Sequence, residues 1–309
     1  MIVLLMMTMS KLRKLTTFSG RLILQSLTID LAFCLIANPM INVPIYLTQI
    51  HREFIYHCIP ASFALIVVIH AGSWTGMALS VNRFFAIVAP FWSKKFQSQR
   101  YAIIVPICVL CVAIGCNIPP LYSAGLTHGR LQSGGCGWVH KDGATVSLIG
   151  TIGTYLPLGV MFVIYSILFV VVELTKVSNR RQSMAGGDLP QNRMLQRRLR
   201  ITKALCLSFI WYCICTLPPA ILVMFYAEWW NTEIRWLLCT KTAQVLAYAA
   251  SPVFFFAVNG QYRIQLKKIC LDRLVFLGLY PRRGTHRRHN ATPQENMELN
   301  PVGCSREAL

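Results

Sequence analysis

Long apolar runs alternate with short polar and basic segments along most of this 309-residue chain. A run of roughly 20 apolar residues is long enough to cross a bilayer as a helix. The pattern predicts six complete membrane-spanning helices, near residues 22–48, 59–81, 101–123, 145–173, 203–226 and 236–258. We therefore expect an all-α bundle in a lipid bilayer rather than a soluble domain.

The charge distribution orients these helices and argues against a nucleic-acid partner. The net charge is +19, although only 13% of the residues are charged and 55% are hydrophobic. When the loops are assigned alternately to the two sides of a membrane, all but five of the 30 Lys and Arg residues fall on one side. The positive-inside rule makes that side, which includes the C-terminus, cytoplasmic. The exceptions are Arg52, Arg130, Lys141, Arg235 and Lys241.

One acidic residue, Asp30, lies deep inside a predicted span. An intramembrane carboxylate is costly and usually faces the interior of the bundle or water, so Asp30 is a functional candidate. The alternative is a carboxylate that is merely satisfied by neighbouring hydroxyl groups. No metal-binding pattern, catalytic constellation or cofactor motif accompanies it, so we expect neither an enzyme nor a metal or cofactor.

The second span begins at Cys58 and ends at Asn82-Arg83-Phe84. The 25 residues from Cys58 to Arg83 would extend about 37 Å as a helix, which places a thiol at one membrane face and an arginine at the other. Ala-Ile and then Pro90 follow the triplet. This pattern resembles the third helix of rhodopsin-like (class A) G protein-coupled receptors, in which an acidic residue normally precedes the arginine. An arginine that snorkels from the end of a span is the alternative.

Two later spans carry prolines that match the same family. Pro157, with Tyr165 eight residues later, resembles the fifth helix. The sequence Cys-Thr-Leu-Pro ending at Pro218 resembles the bend of the sixth helix, with Thr216 in place of the usual tryptophan. A proline within a span frees a carbonyl group and produces a local bend. The resemblance implies that these positions take part in a conformational switch.

The last span resembles the seventh helix and its Asn-Pro-x-x-Tyr motif. Ser251 replaces the asparagine, Pro252 is retained, and Phe255 replaces the tyrosine. Residues 262–279 are amphipathic and basic, which is typical of a helix on the inner membrane surface. Cys270 within that segment is a candidate for palmitoylation, and the alternative is an unmodified thiol. We therefore assign residues 1–279 to the bundle with its surface helix, and 280–309 to a disordered cytoplasmic tail.

The start of the chain matches only part of the family's first helix. Residues 1–9 are apolar but too short to cross a bilayer. The basic segment at 10–14 resembles the first cytoplasmic loop of the family, so residues 1–9 resemble the inner end of a first span. We expect a seven-helix bundle whose first helix is truncated in this chain. The alternative is a genuine six-span protein with both ends in the cytosol.

The resemblance implies roles for specific residues. It implies a disulfide between Cys58 and Cys136 that closes the second outer loop over the bundle. It implies a core network at Asp30 and Ser251, although Gly72 replaces the serine that joins Asp30 in the family's sodium site. The switch residues that contact or respond to a G protein would be Asn82, Arg83, Phe84, Tyr165, Pro218, Pro252 and Phe255.

The outer half of the bundle disfavours two ligand classes, amines and retinal. Leu65 stands where amine receptors carry an aspartate, and Val245 stands where opsins carry the lysine that binds retinal. The alternative for His70 is a hydrogen-bonded core residue, and the alternative for Lys241 is a lysine that snorkels to the outer interface. The candidate pocket residues are Leu65, Ile69, His70, Thr216, Lys241 and Gln244.

The sequence thus predicts a plasma-membrane receptor that responds to an extracellular ligand and signals through a heterotrimeric G protein. Two alternatives stay open. A polytopic transporter would often show coupled intramembrane charges and an internal repeat, and neither is evident. A non-signalling receptor fragment is the other, because the first helix is incomplete.

Overall fold

The computed structural model describes most of the chain between Phe18 and Val258, in separate ranges. Within some helices and strands, including the positions of Ser251 and Phe255, the description covers the backbone alone. One compact unit extends from Met1 to Ile269, and Leu271 is the described residue of a second unit, Cys270–Leu309. The described residues are 3, 6, 18–50, 58–89, 91–92, 98, 100–122, 126–130, 136–140, 148–183, 190–225, 234–258, 264, 268 and 271.

Each predicted span contains a helix, although the third, predicted for 101–123, ends at Gly115. The first runs through α1 (Phe18–Ala32), a π-helical turn (Phe33–Ala37) and α2 (Asn38–Ile50). The others are α3 (Cys58–Val88), α4 (Tyr101–Gly115), α5 (Leu156–Ser183), α6 (Pro190–Phe225) and α7 (Ile234–Val258). Three stretches of the described helices are both long and apolar enough to cross a bilayer: Phe18–Val43, Cys58–Val88 and Leu148–Thr175.

The two π-helical turns share a local cause. Each is followed, after one residue, by a proline: Pro39 after Phe33–Ala37, and Pro157 after Thr151–Tyr155. Proline lacks an N–H group, and its ring clashes with the carbonyl four residues earlier. Widening the preceding turn moves that carbonyl aside, and the amide of the intervening residue then donates to the carbonyl five residues back. The prolines in these spans therefore produce local widening as well as bends.

A small β-hairpin lies between α4 and α5, where the sequence predicted only a loop. A 3-10 turn at Pro119–Tyr122 precedes it. Strand β1 (Leu126–Arg130) pairs antiparallel with β2 (Cys136–His140), and Arg130 faces Cys136 in the register. Both strands pack against α3. A glycine interrupts each of these five-residue strands, so neither carries a regular alternation that the hydropathy pattern could reveal.

Helix α3 is central, because it packs against α1, α4, α5 and α6, whereas α7 packs mainly against α6. One apolar cluster at the Arg83 end of the bundle contains Phe18, Leu79, Tyr165 and Phe209. Large apolar side chains on the outer faces of α4 and α5 remain exposed. An apolar exterior of this size is what a bilayer would cover.

Candidate functional site

Arg83 is buried at one end of α3, with only 8% of its surface exposed. Its Nη2 atom donates a hydrogen bond of 2.6 Å to Oγ of Ser19, in the first turn of α1. The neighbouring Asn82 is also buried, and Phe84 packs against the apolar cluster at this end. The arginine predicted to meet a partner is thus turned inward, on a neutral hydroxyl group that sequence reasoning did not identify.

Tyr165 and Phe209 close the bundle beside this arginine. Tyr165 lies on α5 and Phe209 on α6, and the centroids of their rings are 5.0 Å apart. Both side chains are buried, together with Leu79 on α3 and Leu205 on α6. The predicted switch residue Tyr165 therefore joins α5 to α6 in this packing, because separating the helices would break the ring contact.

A cavity of about 90 Å³ extends from this cluster toward the middle of the bundle. Asp30 is buried and lines the cavity with the hydroxyl-bearing residues Ser26, Ser73, Ser208, Tyr212 and Tyr248. This volume is sufficient for a few ordered water molecules. The cavity reaches Tyr165 at its other end, so the predicted core residue and the predicted switch residue share one polar chamber.

Two tyrosines shape the wall of this chamber around Gly72. The hydroxyl of Tyr212 lies 3.4 Å from Oγ of Ser73. A Cβ atom at Gly72 would lie 3.5 Å from the hydroxyl of Tyr248, whose ring stacks on Phe33 with centroids 4.1 Å apart. The space beside Gly72, where the family has a serine, is thus bordered by a tyrosine hydroxyl. Sequence reasoning missed Tyr248, although a tyrosine inside an apolar span usually needs a polar partner.

Helix α6 contains the predicted proline without the tryptophan that is usual in the family. Pro218 and Pro219 lie inside the helix, and Oγ1 of Thr216 donates to the carbonyl of Tyr212 at 2.6 Å. Such a bond to the carbonyl four residues back favours bending. Trp211, seven residues before Pro218, donates from Nε1 to the carbonyl of Leu246 at 3.1 Å. This bond joins α6 to α7 on the N-terminal side of Pro218.

His70 lies at the junction of α3, α4 and α5. Its Nδ1 is 2.9 Å from Nδ2 of Asn117, and both side chains are fully buried. The imidazole also contacts Gly153 closely, in the π-helical turn before α5. A Cβ atom at Gly153 would overlap the ring. The predicted pocket residue His70 is thus placed in a buried hydrogen bond between helices, and its partner Asn117 was not predicted.

The remaining pocket candidates lie toward the Cys58 end. Leu65 and Ile69 belong to an apolar cluster that also contains Val245 and Tyr248. Thr216 and Gln244 are half-buried. Lys241 is only 8% exposed, so it does not extend to the surface as a snorkelling lysine would.

A disulfide joins Cys58, at the start of α3, to Cys136, at the start of β2. The pairing expected from the family resemblance is therefore present, and it fixes the hairpin at the Cys58 end of α3. Among the described residues, no group of three or more His, Cys, Asp or Glu side chains has the proximity of a metal site. Cys270 and the side chains of Ser251 and Phe255 lie outside the described part, so their predicted roles are not placed.

Comparison with known proteins identifies the family to which this chain belongs. Residues 1–253 match the family model of the seven-transmembrane receptors of the rhodopsin family. The chain belongs to this family. The prediction from the Cys58–Arg83 spacing is thereby confirmed, and the transporter alternative is not favoured. The family is generally non-enzymatic and implies a multi-pass protein of the plasma membrane.

Individual relatives are distant. The allatostatin-A receptor of Bombyx mori is 22% identical over 226 residues, which cover 69% of this chain and 59% of the receptor. Melanopsin-A of Danio rerio is 21% identical over 301 residues, covering 91% of this chain and 49% of that protein. The chain thus spans about half the length of these curated relatives.

The fold is also that of a solved member. The crystal structure of squid rhodopsin matches with a TM-score of 0.69 at 18% identity. The match covers 89% of this chain and 81% of the squid chain. At this identity the likeness concerns the fold, so that the helical-bundle prediction is confirmed.

Proposed function

We propose that this chain is a G protein-coupled receptor. A ligand at the Cys58 end would favour an open packing in which Arg83 becomes accessible to a heterotrimeric G protein. A ligand changes such an equilibrium only by binding one packing more tightly than the other. The C-terminus and the Arg83 end would face the cytoplasm, as the distribution of Lys and Arg predicts.

The observation that carries this proposal is the burial of Arg83 on the hydroxyl of Ser19. The guanidinium donates to a neutral hydroxyl, and the ring contact between α5 and α6 closes the bundle beside it. Such a packing can open without separating a pair of opposite charges at this bond. Opening would separate Tyr165 from Phe209 and release the guanidinium. The predicted coupling residues therefore act together: Asn82, Arg83, Phe84, Tyr165, Pro218, Pro252 and Phe255.

The ligand would bind between the hairpin and the polar chamber. Leu65, Ile69, Thr216, Lys241 and Gln244 are the proposed contacts. His70 would support this pocket from the junction with Asn117 rather than line it. Asp30 and the tyrosine hydroxyls would connect the pocket to the Arg83 end through the chamber.

The direct test is nucleotide exchange on purified heterotrimeric G proteins of each Gα class, with the full chain in lipid nanodiscs. We expect basal exchange on at least one class, and its loss in Arg83→Ala. Arg235→Ala is the matched control, because this arginine is exposed near the start of α7. Wild-type exchange retained in Arg83→Ala would refute the coupling mechanism. Absence of exchange on every class, even with Ser19→Ala, would support the non-signalling alternative.

A further inference from the structure

Lys241 lies on the inward face of α7. It is buried, whereas Leu238, Cys239, Thr242 and Leu246 around it are exposed. Positions three, four and seven residues further along a helix share one face. On this face of α7 they are Gln244, Val245 and Tyr248, and the last two pack into the apolar cluster of the bundle. The lysine therefore belongs to the interior side of the helix.

The helices opposite Lys241 offer apolar surface at the same level. Tyr248 marks the reference level, because it stacks on Phe33 and borders Gly72. A step of seven or eight residues along each helix toward the Cys58 end is a rise of about 10–12 Å. Starting from Tyr248, Phe33 and Gly72, this step reaches Lys241 on α7, Ile41 on α2 and Leu65 on α3. Both opposing side chains are almost fully buried. A cation at this level has an apolar wall in front of it.

No described side chain supplies the opposite charge. The acidic residues within the described ranges are Asp30 and Glu173. Asp30 lines the chamber beyond Tyr248, and Glu173 lies toward the far end of α5. The amide oxygen of Gln244, one turn from Lys241, is buried and accepts no hydrogen bond from the described residues. A buried charge of this kind is costly unless an anion compensates it.

We propose that Lys241 binds the carboxylate of an amphipathic ligand whose apolar body lies along Ile41, Leu65 and Ile69. This assignment rests on the proposed receptor function, because it names the chemical class of the ligand for the same pocket. A single ammonium group beside one amide matches a single negative charge. A phosphate would favour a second cation or a forked arginine, and the described wall contains neither.

Octanoate is a suitable probe because it carries one carboxylate on a straight apolar chain, and octan-1-ol is its neutral counterpart. The full chain in nanodiscs of neutral lipid would be titrated with each, and both binding and the midpoint of thermal unfolding would be measured. Lys241→Met and Lys241→Gln remove the charge. Arg235→Met removes an exposed charge from the same helix and serves as the control.

We expect octanoate to bind and to raise the unfolding midpoint in the wild type and in Arg235→Met. In both Lys241 variants its affinity should fall by at least about tenfold, the scale of one charge-assisted hydrogen bond. Octan-1-ol should act equally weakly on all proteins. Without ligand, Lys241→Met should unfold at the same or a higher temperature, because an uncompensated buried charge has been removed.

Three results would overturn the assignment. These are failure of octanoate to bind the wild type, equal binding of octanoate to the Lys241 variants, and a lower unfolding midpoint of Lys241→Met without ligand. The last would show that the lysine pairs with an acidic residue of the chain itself.

Because binding is measured without a G protein, lost coupling with intact binding would refute the receptor function alone. Intact coupling without carboxylate binding would refute the ligand class alone.

Discussion

The guanidinium of Arg83 and the hydroxyl of Ser19 are joined by a 2.6 Å hydrogen bond between α3 and α1, across 64 residues of sequence. Asn82 supplies no carboxylate beside the arginine, and the basic cluster from Arg197 to Lys203 on α6 supplies none either. The guanidinium thus donates to a neutral hydroxyl, whereas the family resemblance implies an acidic residue directly before this arginine. Such a bond is weaker than a charge-assisted pair between two ions.

Ser19→Ala should raise basal nucleotide exchange, because it removes the acceptor that holds Arg83 inward. Hydrogen bonds to charged groups are worth about 1.5–3 kcal/mol, and losing part of this would favour opening by about fivefold to tenfold. Thr28→Val is the matched control, since its hydroxyl donates to the carbonyl of Leu24 on an exposed face of the same helix. Equal basal exchange in Ser19→Ala and wild type would contradict the role given to Ser19.

Gly153→Ala should destabilise the bundle, because the new Cβ atom would overlap the buried ring of His70. Overpacking of a core typically costs about 1–3 kcal/mol, which thermal unfolding in nanodiscs would detect. At Gly72 a Cβ atom meets Tyr248 and Ile29 at ordinary contact distances of 3.4–3.5 Å. Gly72→Ala should therefore be neutral, or stabilising by up to about 1 kcal/mol through helix propensity.

A second substitution tests the cause of that destabilisation. Gly153→Ala combined with His70→Ala should recover part of the stability, because the ring that the methyl group would strike is gone. Recovery is expected to be incomplete, since His70→Ala also removes the hydrogen bond to Asn117. If the destabilisation of the double variant equals the sum of the two single destabilisations, Gly153 and His70 are not in contact.

The helical bundle could be read from the sequence because each span repeats one physical requirement, roughly 20 apolar residues without strong charge. Asp30 and Arg83 were likewise found from the rarity of charge in such runs. Both are buried in the structure. The pairing of Cys58 with Cys136 came from the family resemblance, which specified one partner for the thiol at the start of α3.

The polar partners within the bundle could not be predicted in this way. Ser19 and Tyr248 are ordinary residues of their helices, and Asn117 lies in the turn after α4. No local pattern marks any of them as a partner of another helix. Their roles depend on which elements face each other, and the partners of Ser19 and Asn117 are 64 and 47 residues away in the sequence. The close approach of Gly153 to His70 also depends on the widened turn before Pro157.

Replacing Cys58 or Cys136 should lower surface expression, because the disulfide between them anchors the hairpin to α3. Loss of a native disulfide costs about 2–5 kcal/mol in small secreted domains. Cys239→Ala is the control, since this thiol is free and exposed on α7. Mass spectrometry after alkylation without reductant should find Cys58 and Cys136 unmodified. Alkylation of both in the folded protein would contradict the bond.

Asn82→Asp should lower basal nucleotide exchange by providing a carboxylate beside Arg83. A carboxylate adds the attraction of an opposite charge to the hydrogen bond, so the guanidinium would be held inward more firmly than in the wild type. Asn82→Leu, which has similar volume and no charge, should not lower it. The double variant Ser19→Ala, Asn82→Asp is the more stringent test, because the new carboxylate should suppress the activity that loss of Ser19 releases. If Asn82→Asp leaves exchange unchanged in both backgrounds, the carboxylate does not reach the guanidinium, and closure depends on Ser19 and the Tyr165–Phe209 contact.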